Sequence, residues 1–137
     1  MKKILLVEDD PATVDVYRSV FERAGFDIEI LKSGREGLER LKKIDKGEKE
    51  KPDLVLLDLI LPDVNGINIL EKARKNKSLK NIPFFILTNY TDPSSEEKIW
   101  KLGVEKYIIK ANYTPDQLIK LIKNWFNSHN LKEKAPR

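Results

Sequence analysis

Side chains suited to metal and phosphate chemistry stand directly after four short apolar runs of this 137-residue chain. They are Glu8 and Asp9 after the run ILLV, Asp58 after LVLL, Thr88 after FFIL and Lys110 after KYII. Neighbouring carboxylates repel one another, so they either raise each other's pKa or bind a cation. Two or three carboxylates suit Mg²⁺, which prefers oxygen ligands and keeps several of its waters.

Asp58 is the candidate nucleophile of this set, because it ends the most buried of the predicted strands. A carboxylate can attack phosphorus and form an aspartyl-phosphate. Such a transfer requires that the charge on the equatorial phosphoryl oxygens be neutralised. A metal ion, the Lys110 ammonium and the Thr88 hydroxyl could supply this. Asp10 is interpreted instead as the cap of the following helix, with Pro11 at its first position.

Five apolar runs at nearly even spacing predict the strands that position these residues. They cover 3–7, 27–31, 53–57, 83–87 and 106–109. Four are continuous, as in strands covered on both faces, whereas 27–31 alternates as in an edge strand. Helical patterns separate them, so we predict a doubly wound α/β fold with a parallel sheet. In the strand order 2-1-3-4-5, the carboxyl ends that carry the polar residues are neighbours, and ligands bind there in such sheets.

Length and composition predict one soluble globular domain over residues 1–129, followed by a disordered tail over 130–137. The net charge of +4 is spread along the chain, which argues against a nucleic-acid partner. The absence of cysteine excludes disulfides and thiolate chemistry. No apolar stretch approaches the ~18 residues of a membrane span, and the first is too short for a signal peptide, so we expect a cytoplasmic protein.

The chain resembles the response-regulator receiver domains of two-component signalling over roughly residues 2–128. The matching segments are ILLVEDD (4–10), DLVLLDLILPDVNG (53–66), FFILT (84–88) and KYIIK (106–110). Each segment alone is a weak signal, but the four together, in this order and at these intervals, are specific. The resemblance implies a flavodoxin-like (βα)5 fold. It also implies a stand-alone phosphorylation switch whose output is binding to an unidentified downstream protein.

The resemblance assigns roles to the polar residues at the strand ends. Asp58 would accept a phosphoryl group from the phosphohistidine of a histidine kinase or from a phosphotransfer protein. Mg²⁺ would be held by Glu8, Asp9 and Asp58, with the Ile60 backbone carbonyl as a further ligand. Thr88 would follow the phosphoryl group. The protein would not be an enzyme, since only self-phosphorylation and slow self-dephosphorylation are expected of it.

Three residues near the end of the chain receive roles in the same way. Lys110 would pair with the phosphoryl oxygens, and Tyr107 would change rotamer as the switch residue. In SSEEKIWKLG (94–103), Ile99 and Leu102 most naturally face the core. Trp100 would then lie toward the face formed by the fourth helix, the fifth strand and the fifth helix. Receivers often signal or form homodimers through that face, so Trp100 is a candidate interface residue.

The chain departs from the family pattern at three places. Ala111 follows Lys110 where the family commonly has a proline after a cis bond. A non-proline cis bond costs about 3–4 kcal/mol, so a strained or differently traced loop is expected. Asn89 follows Thr88 where a small residue is usual, and it is expected to crowd the phosphoacceptor. The charged segment 42–51 is interpreted as a solvated helix end and loop, longer than typical.

Two further positions bear on the lifetime of a phosphoryl group. Ile60 and Tyr90 stand two residues beyond Asp58 and Thr88, where receivers border the path of the hydrolytic water. Neither carries a carboxylate or an amide that could orient this water. The resemblance therefore implies slow self-dephosphorylation.

Three alternative functions stay open at this point. A hydrolase of the haloacid-dehalogenase type would have a second Asp two residues after the first, where this chain has Ile60. A flavin-binding protein would need a Ser/Thr/Gly-rich phosphate loop after the first strand, where this chain has three acids. A degenerate receiver acting as a phosphorylation-independent scaffold is the main alternative, favoured by the residues at 89 and 111. The intact set of Asp58, Thr88 and Lys110 argues against it.

Overall fold

Strands and helices alternate along residues 1–134, the part of the chain that the computed structural model describes. The strands are β1 (Lys3–Val7), β2 (Asp27–Leu31), β3 (Leu54–Leu57), β4 (Phe84–Thr88) and β5 (Lys106–Ile109). The helices are α1 (Pro11–Arg23), α2 (Gly34–Asp45), α3 (Gly66–Lys75), α4 (Pro93–Lys101) and α5 (Pro115–Lys134), with a 3-10 turn at Lys110–Asn112. Every predicted strand forms within one residue of its expected ends. Thr88 is the last residue of β4 rather than the first residue after it.

The five strands form one parallel sheet in the order β2-β1-β3-β4-β5, which confirms the predicted fold class. β1 and β3 pair from Ile4 with Leu54 to Val7 with Leu57, so their carboxyl ends are level. β2 lies at an edge, as its alternating pattern predicts, and most of its residues are only partly buried. The winding reverses between β1 and β3, and a crevice opens there beyond the strand ends.

The core consists of two apolar layers, one on each face of the sheet. One layer combines alternate residues of β1 and β3, such as Leu5 and Leu57, with buried residues of α2, α3 and α4. The other combines the remaining alternate residues, such as Leu6 and Leu56, with buried residues of α1 and α5. Each fully buried side chain contributes about 1.5–3 kcal/mol, so the central strands form a rigid base for the loops at their ends.

Side-chain caps fix where two of the helices begin. The Asp10 carboxylate accepts a hydrogen bond from the Thr13 N–H at 2.9 Å, and Pro11 is the first residue of α1, as predicted. A hydrogen bond from the Thr13 hydroxyl, followed by this backbone bond, lowers the pKa of Asp10. At the start of α5, Thr114 and Gln117 exchange hydrogen bonds of 3.1 and 2.9 Å. This is the predicted capping box, in which each side chain satisfies the other's backbone N–H.

Arg74 on α3 fastens the end of α4 to the turn before β4. Its guanidinium donates to the carbonyls of Leu102 at 2.6 Å and Gly103 at 3.2 Å, just beyond α4. It also donates to the carbonyls of Lys80 at 3.1 Å and Ile82 at 3.0 Å. Burial lowers the pKa of Arg74, which the charge of a nearby glutamate partly offsets. The C-terminal end of α4 is therefore held by charge-assisted bonds that a neutral side chain could not replace.

The charged segment 42–51 comprises the end of α2 and the loop that follows it. α2 ends at Asp45, and the segment is exposed except for the buried Ile44. α5 continues to Lys134, past residue 129 where the sequence analysis ended the domain, since residues 116–135 include no glycine or proline. Residues 135–137 of the predicted tail lie outside the described residues. None of the helices described is long and apolar enough to cross a bilayer.

Candidate functional site

A cleft opens at the carboxyl edge of the sheet, where the ends of β1, β3, β4 and β5 are neighbours. It has a volume of about 570 Å³. Its lining comprises Glu8, Asp9, Asp10, Thr13, Asp58, Ile60, Thr88, Asn89, Tyr90 and Lys110. All four strand ends that were singled out in the sequence therefore contribute to one cleft, because neighbouring parallel strands bring their carboxyl ends to one edge.

Three carboxylates of the cleft are close enough to share one cation. One carboxylate oxygen each from Glu8, Asp9 and Asp58 lie within 4.8 Å of one another. Glu8 is 1% exposed and Asp58 is 7% exposed, whereas Asp9 is more open to solvent. Buried carboxylates are costly unless they are paired or ligate a metal ion. This all-oxygen donor set fits a hard cation such as Mg²⁺.

Lys110 lies between the two buried carboxylates. Its ammonium donates a hydrogen bond to Asp58 Oδ2 at 2.9 Å and another to Glu8 Oε1. Burial acts to lower the pKa of Lys110, but the bonds to Glu8 and Asp58 and their charges outweigh it and raise the pKa. With the three carboxylates ionised, one ammonium leaves two negative charges uncompensated. A divalent cation matches that remainder.

Backbone groups of the loop after β3 also hold Asp58. The Ile60 N–H donates to Asp58 Oδ1 at 3.2 Å, so each carboxylate oxygen has its own donor. The loop returns past Asp58 at Gly66, whose N–H donates to the Leu59 carbonyl at 2.9 Å. A Cβ at Gly66 would lie 2.4 Å from the Asp58 carbonyl oxygen and 2.7 Å from Leu59 Cα. Only glycine lets the chain pass this close to Asp58.

Thr88 and Tyr107 are linked through the backbone of Tyr90. Thr88 is fully buried, and its hydroxyl oxygen accepts a hydrogen bond from the Tyr90 N–H at 3.2 Å. The Tyr107 hydroxyl donates to the Tyr90 carbonyl at 2.8 Å. Burial, followed by the charge of Glu96, raises the pKa of Tyr107. Thr88 and the predicted switch residue Tyr107 therefore bind the N–H and the carbonyl, respectively, of one residue in the loop after β4.

The loop that carries Lys110 is traced without a cis peptide bond, since residues 1–134 contain none. Lys110 begins the 3-10 turn, and the Ala111 N–H donates to Asn89 Oδ1 at 2.9 Å. A proline at 111 would have no N–H for this bond. The two family departures at 89 and 111 are thus partners in one contact. Sequence analysis missed this pairing. Two signals could have revealed it: an asparagine follows Thr88, and the residue after Lys110 has an N–H that a proline would lack.

Trp100 lies on α4, away from the cleft, and 46% of its surface is exposed. Ile99 faces the core, as predicted, and Leu102 packs at its margin. The structure therefore brings Glu8, Asp9 and Asp58 together with the remaining cleft residues and leaves Trp100 on a separate surface.

The family model for the response regulator receiver domain matches residues 4–123 of this chain. The chain belongs to this family. Receiver domains are regulatory switches rather than true catalysts, and they work in two-component systems. The fold and the acidic cleft agree with this assignment, and the match covers most of the domain described above.

Curated relatives and solved structures extend over nearly the same length. The polar-differentiation response regulator DivK of Brucella ovis is 30% identical over 124 residues, which cover 90% of this chain and 95% of that protein. A CheY-like receiver domain protein from Methanospirillum hungatei superposes with a TM-score of 0.81 at 30% identity, covering 96% and 98% of the two chains. The phosphorylated cyanobacterial phytochrome response regulator RcpA gives 0.76 at 28% identity, covering 90% and 89%. The Mn²⁺-bound response regulator Rcp1 gives 0.72 at 29% identity, covering 90% and 91%.

The Asn89 contact yields a prediction about the Lys110 loop. Asn89→Ala removes the acceptor of the Ala111 N–H, so we expect faster amide hydrogen exchange at Ala111. The free energy of unfolding should fall by only about 0.5–1 kcal/mol, because the bond is exposed. Asn112→Ala, which truncates an exposed asparagine of the same turn, is the matched control. Equal exchange at Ala111 in both variants, measured by NMR, would show that the contact does not hold the loop.

Proposed function

We propose that this chain is a phosphorylation-dependent signalling switch. Asp58 accepts a phosphoryl group from the phosphohistidine of a histidine kinase or of a phosphotransfer protein, and phosphorylation controls binding to a downstream protein. The observation that carries the proposal is the Asp58 carboxylate, held by Lys110 on one oxygen and by the Ile60 N–H on the other. Membership of the receiver family supports it. We assign this exchange to the cytoplasm, where the ATP that charges histidine kinases is found.

The chemical step follows from how Asp58 is held. One carboxylate oxygen attacks phosphorus, an O–P bond forms, and the N–P bond to the donor imidazole breaks. The two donors to Asp58 fix the plane of its carboxylate, which reduces the orientational freedom that is lost in the transition state. Lys110, already beside Asp58, moves with the charge onto the transferred group and neutralises its oxygens.

The carboxylates of Glu8, Asp9 and Asp58, with the Ile60 carbonyl, would hold Mg²⁺ in this cleft. The ion supplies neutralisation of phosphoryl oxygen charge when it is bound. Glu8 is the more buried of the acid pair and is bonded to Lys110, whereas Asp9 is more open to the cleft. We therefore assign direct ligation to Asp9 and ligation through water to Glu8. The relative Rcp1 has a solved Mn²⁺-bound form, which supports a divalent cation as the occupant.

The signal leaves the site through the contacts of Tyr90. The Thr88 hydroxyl turns its proton toward a phosphoryl oxygen, and the loop after β4 moves with it. That movement displaces the Tyr90 carbonyl, to which the Tyr107 hydroxyl is bonded at 2.8 Å. Tyr107 is then free to take another rotamer. Phosphorylation thereby biases an existing equilibrium between two arrangements of this loop.

The output surface that we propose is the face formed by α4, β5 and α5. Tyr107 lies on β5, and Trp100 lies exposed on α4. An exposed tryptophan is a frequent anchor of protein interfaces. Either a downstream protein or a second copy of this chain would bind there; we propose no nucleic-acid and no membrane partner.

The first test is transfer to Asp58. Incubation of the full chain with Mg²⁺ and acetyl phosphate is expected to add one phosphoryl group, measured as intact mass. Asp58→Asn should take none, whereas Asp116→Asn, which changes an exposed carboxylate on α5, should behave as the wild type. Chelation of Mg²⁺ should abolish the adduct. A wild-type chain that takes no phosphoryl group from acetyl phosphate or any kinase tested would instead support the phosphorylation-independent scaffold.

The lifetime of the phosphoryl group is a second test. Ile60, which is 58% exposed, and Tyr90 both line the cleft. Neither side chain has a carboxylate or an amide to orient a water for hydrolysis. Ile60→Asn with Tyr90→Glu is expected to shorten the lifetime several-fold, below the roughly 100-fold of a full general base. Decay of the phosphorylated mass after donor removal measures this. An unchanged lifetime would contradict the role given to these two positions.

Self-association tests the proposed surface. Trp100→Ala is expected to weaken phosphorylation-dependent dimerisation by about tenfold or more, as loss of a central aromatic anchor commonly does. Val16→Ala is the matched control, because Val16 on α1 is also 46% exposed. Sedimentation velocity with and without beryllofluoride, a phosphoryl mimic, gives the measurement. Equal association of the two variants would remove Trp100 from the interface.

A further inference from the structure

Asp63 joins the loop after the phosphoacceptor to the first turn of α2. This residue stands in the loop between β3 and α3, five residues beyond Asp58. Its Oδ1 accepts a hydrogen bond from the Gly34 N–H at 2.9 Å, and its Oδ2 accepts one from the Arg35 N–H at 2.9 Å. These two bonds lower the pKa of Asp63, and the bond from the Arg35 N–H has the larger effect. The carboxylate is therefore bound through both oxygens to a neighbouring element.

The close approach of the loop to α2 depends on glycine at position 34. A Cβ on Gly34 would lie 2.6 Å from Val64 Cβ and 3.2 Å from Asp63 Oδ1. Distances below 3.0 Å do not occur between such atoms, so any larger residue would push the loop away. The loop and the helix start thus fit each other both sterically and through hydrogen bonds.

Asp63 is not the N-cap of α2, because Ser33 has that position. The Ser33 hydroxyl accepts a hydrogen bond from the Glu36 N–H at 3.1 Å, the usual N-cap contact. The Asp63 bonds satisfy two other N–H groups of the first turn, and they also attach the loop to the helix. They fix a loop position 29 residues further along the chain than Gly34.

The fixed loop also carries the backbone that contacts Asp58. The Ile60 N–H donates to Asp58 Oδ1, and Gly66 packs against the Asp58 carbonyl. Between these two points, residues 61–65 are partly or fully exposed, and Leu61 packs against the core. Asp63 adds the side-chain hydrogen bonds that attach this stretch to α2. Without them, the middle of the loop would lose its polar attachment, and the Ile60 peptide would be held by the Leu61 packing and the two ends of the loop.

We infer that Asp63 is a positioning residue for the Asp58 site, acting through its two hydrogen bonds to the first turn of α2. By holding the loop, it keeps the Ile60 N–H on Asp58 and aligns the Ile60 carbonyl toward the proposed Mg²⁺ site. This inference rests on the proposed function for its metal ion, but not for the contacts themselves. If Asp63 has this role, the position of α2 affects the geometry of the Asp58 site.

The experiment compares two variants that alter the same helix start. Asp63→Ala removes the loop attachment, whereas Ser33→Ala removes the helix cap and leaves the loop untouched. Mg²⁺ affinity of the full chain, measured by calorimetry, is expected to fall about tenfold or more in Asp63→Ala, the scale for outer-shell partners of metal ligands. Ser33→Ala should stay within about twofold of wild type. Amide exchange at Ile60 should quicken only in Asp63→Ala.

Two further variants keep the test decisive. Gly34→Ala retains the carboxylate but displaces the loop, so it should weaken Mg²⁺ binding like Asp63→Ala. Asp63→Asn retains one acceptor oxygen, so it should give an intermediate Mg²⁺ affinity. This variant supplies the measurement if Asp63→Ala fails to fold. If wild type takes up a phosphoryl group but Asp63→Ala and Ser33→Ala match in affinity and Ile60 exchange, the inference is wrong and the proposed function stands. If wild type neither binds Mg²⁺ nor takes a phosphoryl group, both are wrong.

Discussion

The contact of the Lys110 ammonium with two buried carboxylates is the interaction on which the rest of the site depends. Glu8 and Asp58 are almost completely buried at the ends of adjacent strands, where their charges would otherwise repel at close range. Removing one partner of such a buried set leaves an uncompensated charge, a loss of about 3–5 kcal/mol. Lys110 relieves this repulsion but not fully, since Asp9 adds a third negative charge nearby. Lys110 thus stabilises the buried carboxylates, and the negative charge that remains in the cleft still attracts a cation.

The loops, rather than the strands, hold these charged side chains in place. The strands bring the polar residues to one edge, but the orientation of each side chain is set by contacts just beyond the strand end. Gly66 brings the loop after β3 against Asp58, and Asn89 binds the residue that follows Lys110. Asp63 binds that same loop to α2. The loops after β4 and β5 are therefore bonded to each other, and the loop after β3 is bonded to α2, around the Asp58 carboxylate.

The sequence was sufficient to predict the strand ends and their order, and hence the meeting of Glu8, Asp58, Thr88 and Lys110. The apolar runs predict the strand ends, and parallel strands bring these ends to one edge. The strand order that makes the ends neighbours is the one that the resemblance to receiver domains implies. The loop contacts were not predictable in this way. The bonds of Asn89 to Ala111 and of Asp63 to α2 join residues 22 to 29 positions apart whose side-chain directions no periodicity fixes. Asn89 was expected to crowd the acceptor, yet its amide oxygen binds the Ala111 N–H.

The hydrogen bonds that hold the loop after β4 determine how much free energy a phosphoryl group would have to supply in the proposed switch. The loop after β4 is held by the Thr88–Tyr90 bond at 3.2 Å and the Tyr90–Tyr107 bond at 2.8 Å. Each contributes about 0.5–1.5 kcal/mol net, whereas a nearly complete shift of a two-state equilibrium requires about 5.5 kcal/mol. The hydrogen bond of Thr88 alone therefore involves too little free energy to drive the switch. Because Arg74 fixes the C-terminal end of α4, we expect the movement of the proposed switch at the start of that helix. We propose that the charge contact of Lys110 with the phosphoryl group supplies most of the remaining free energy.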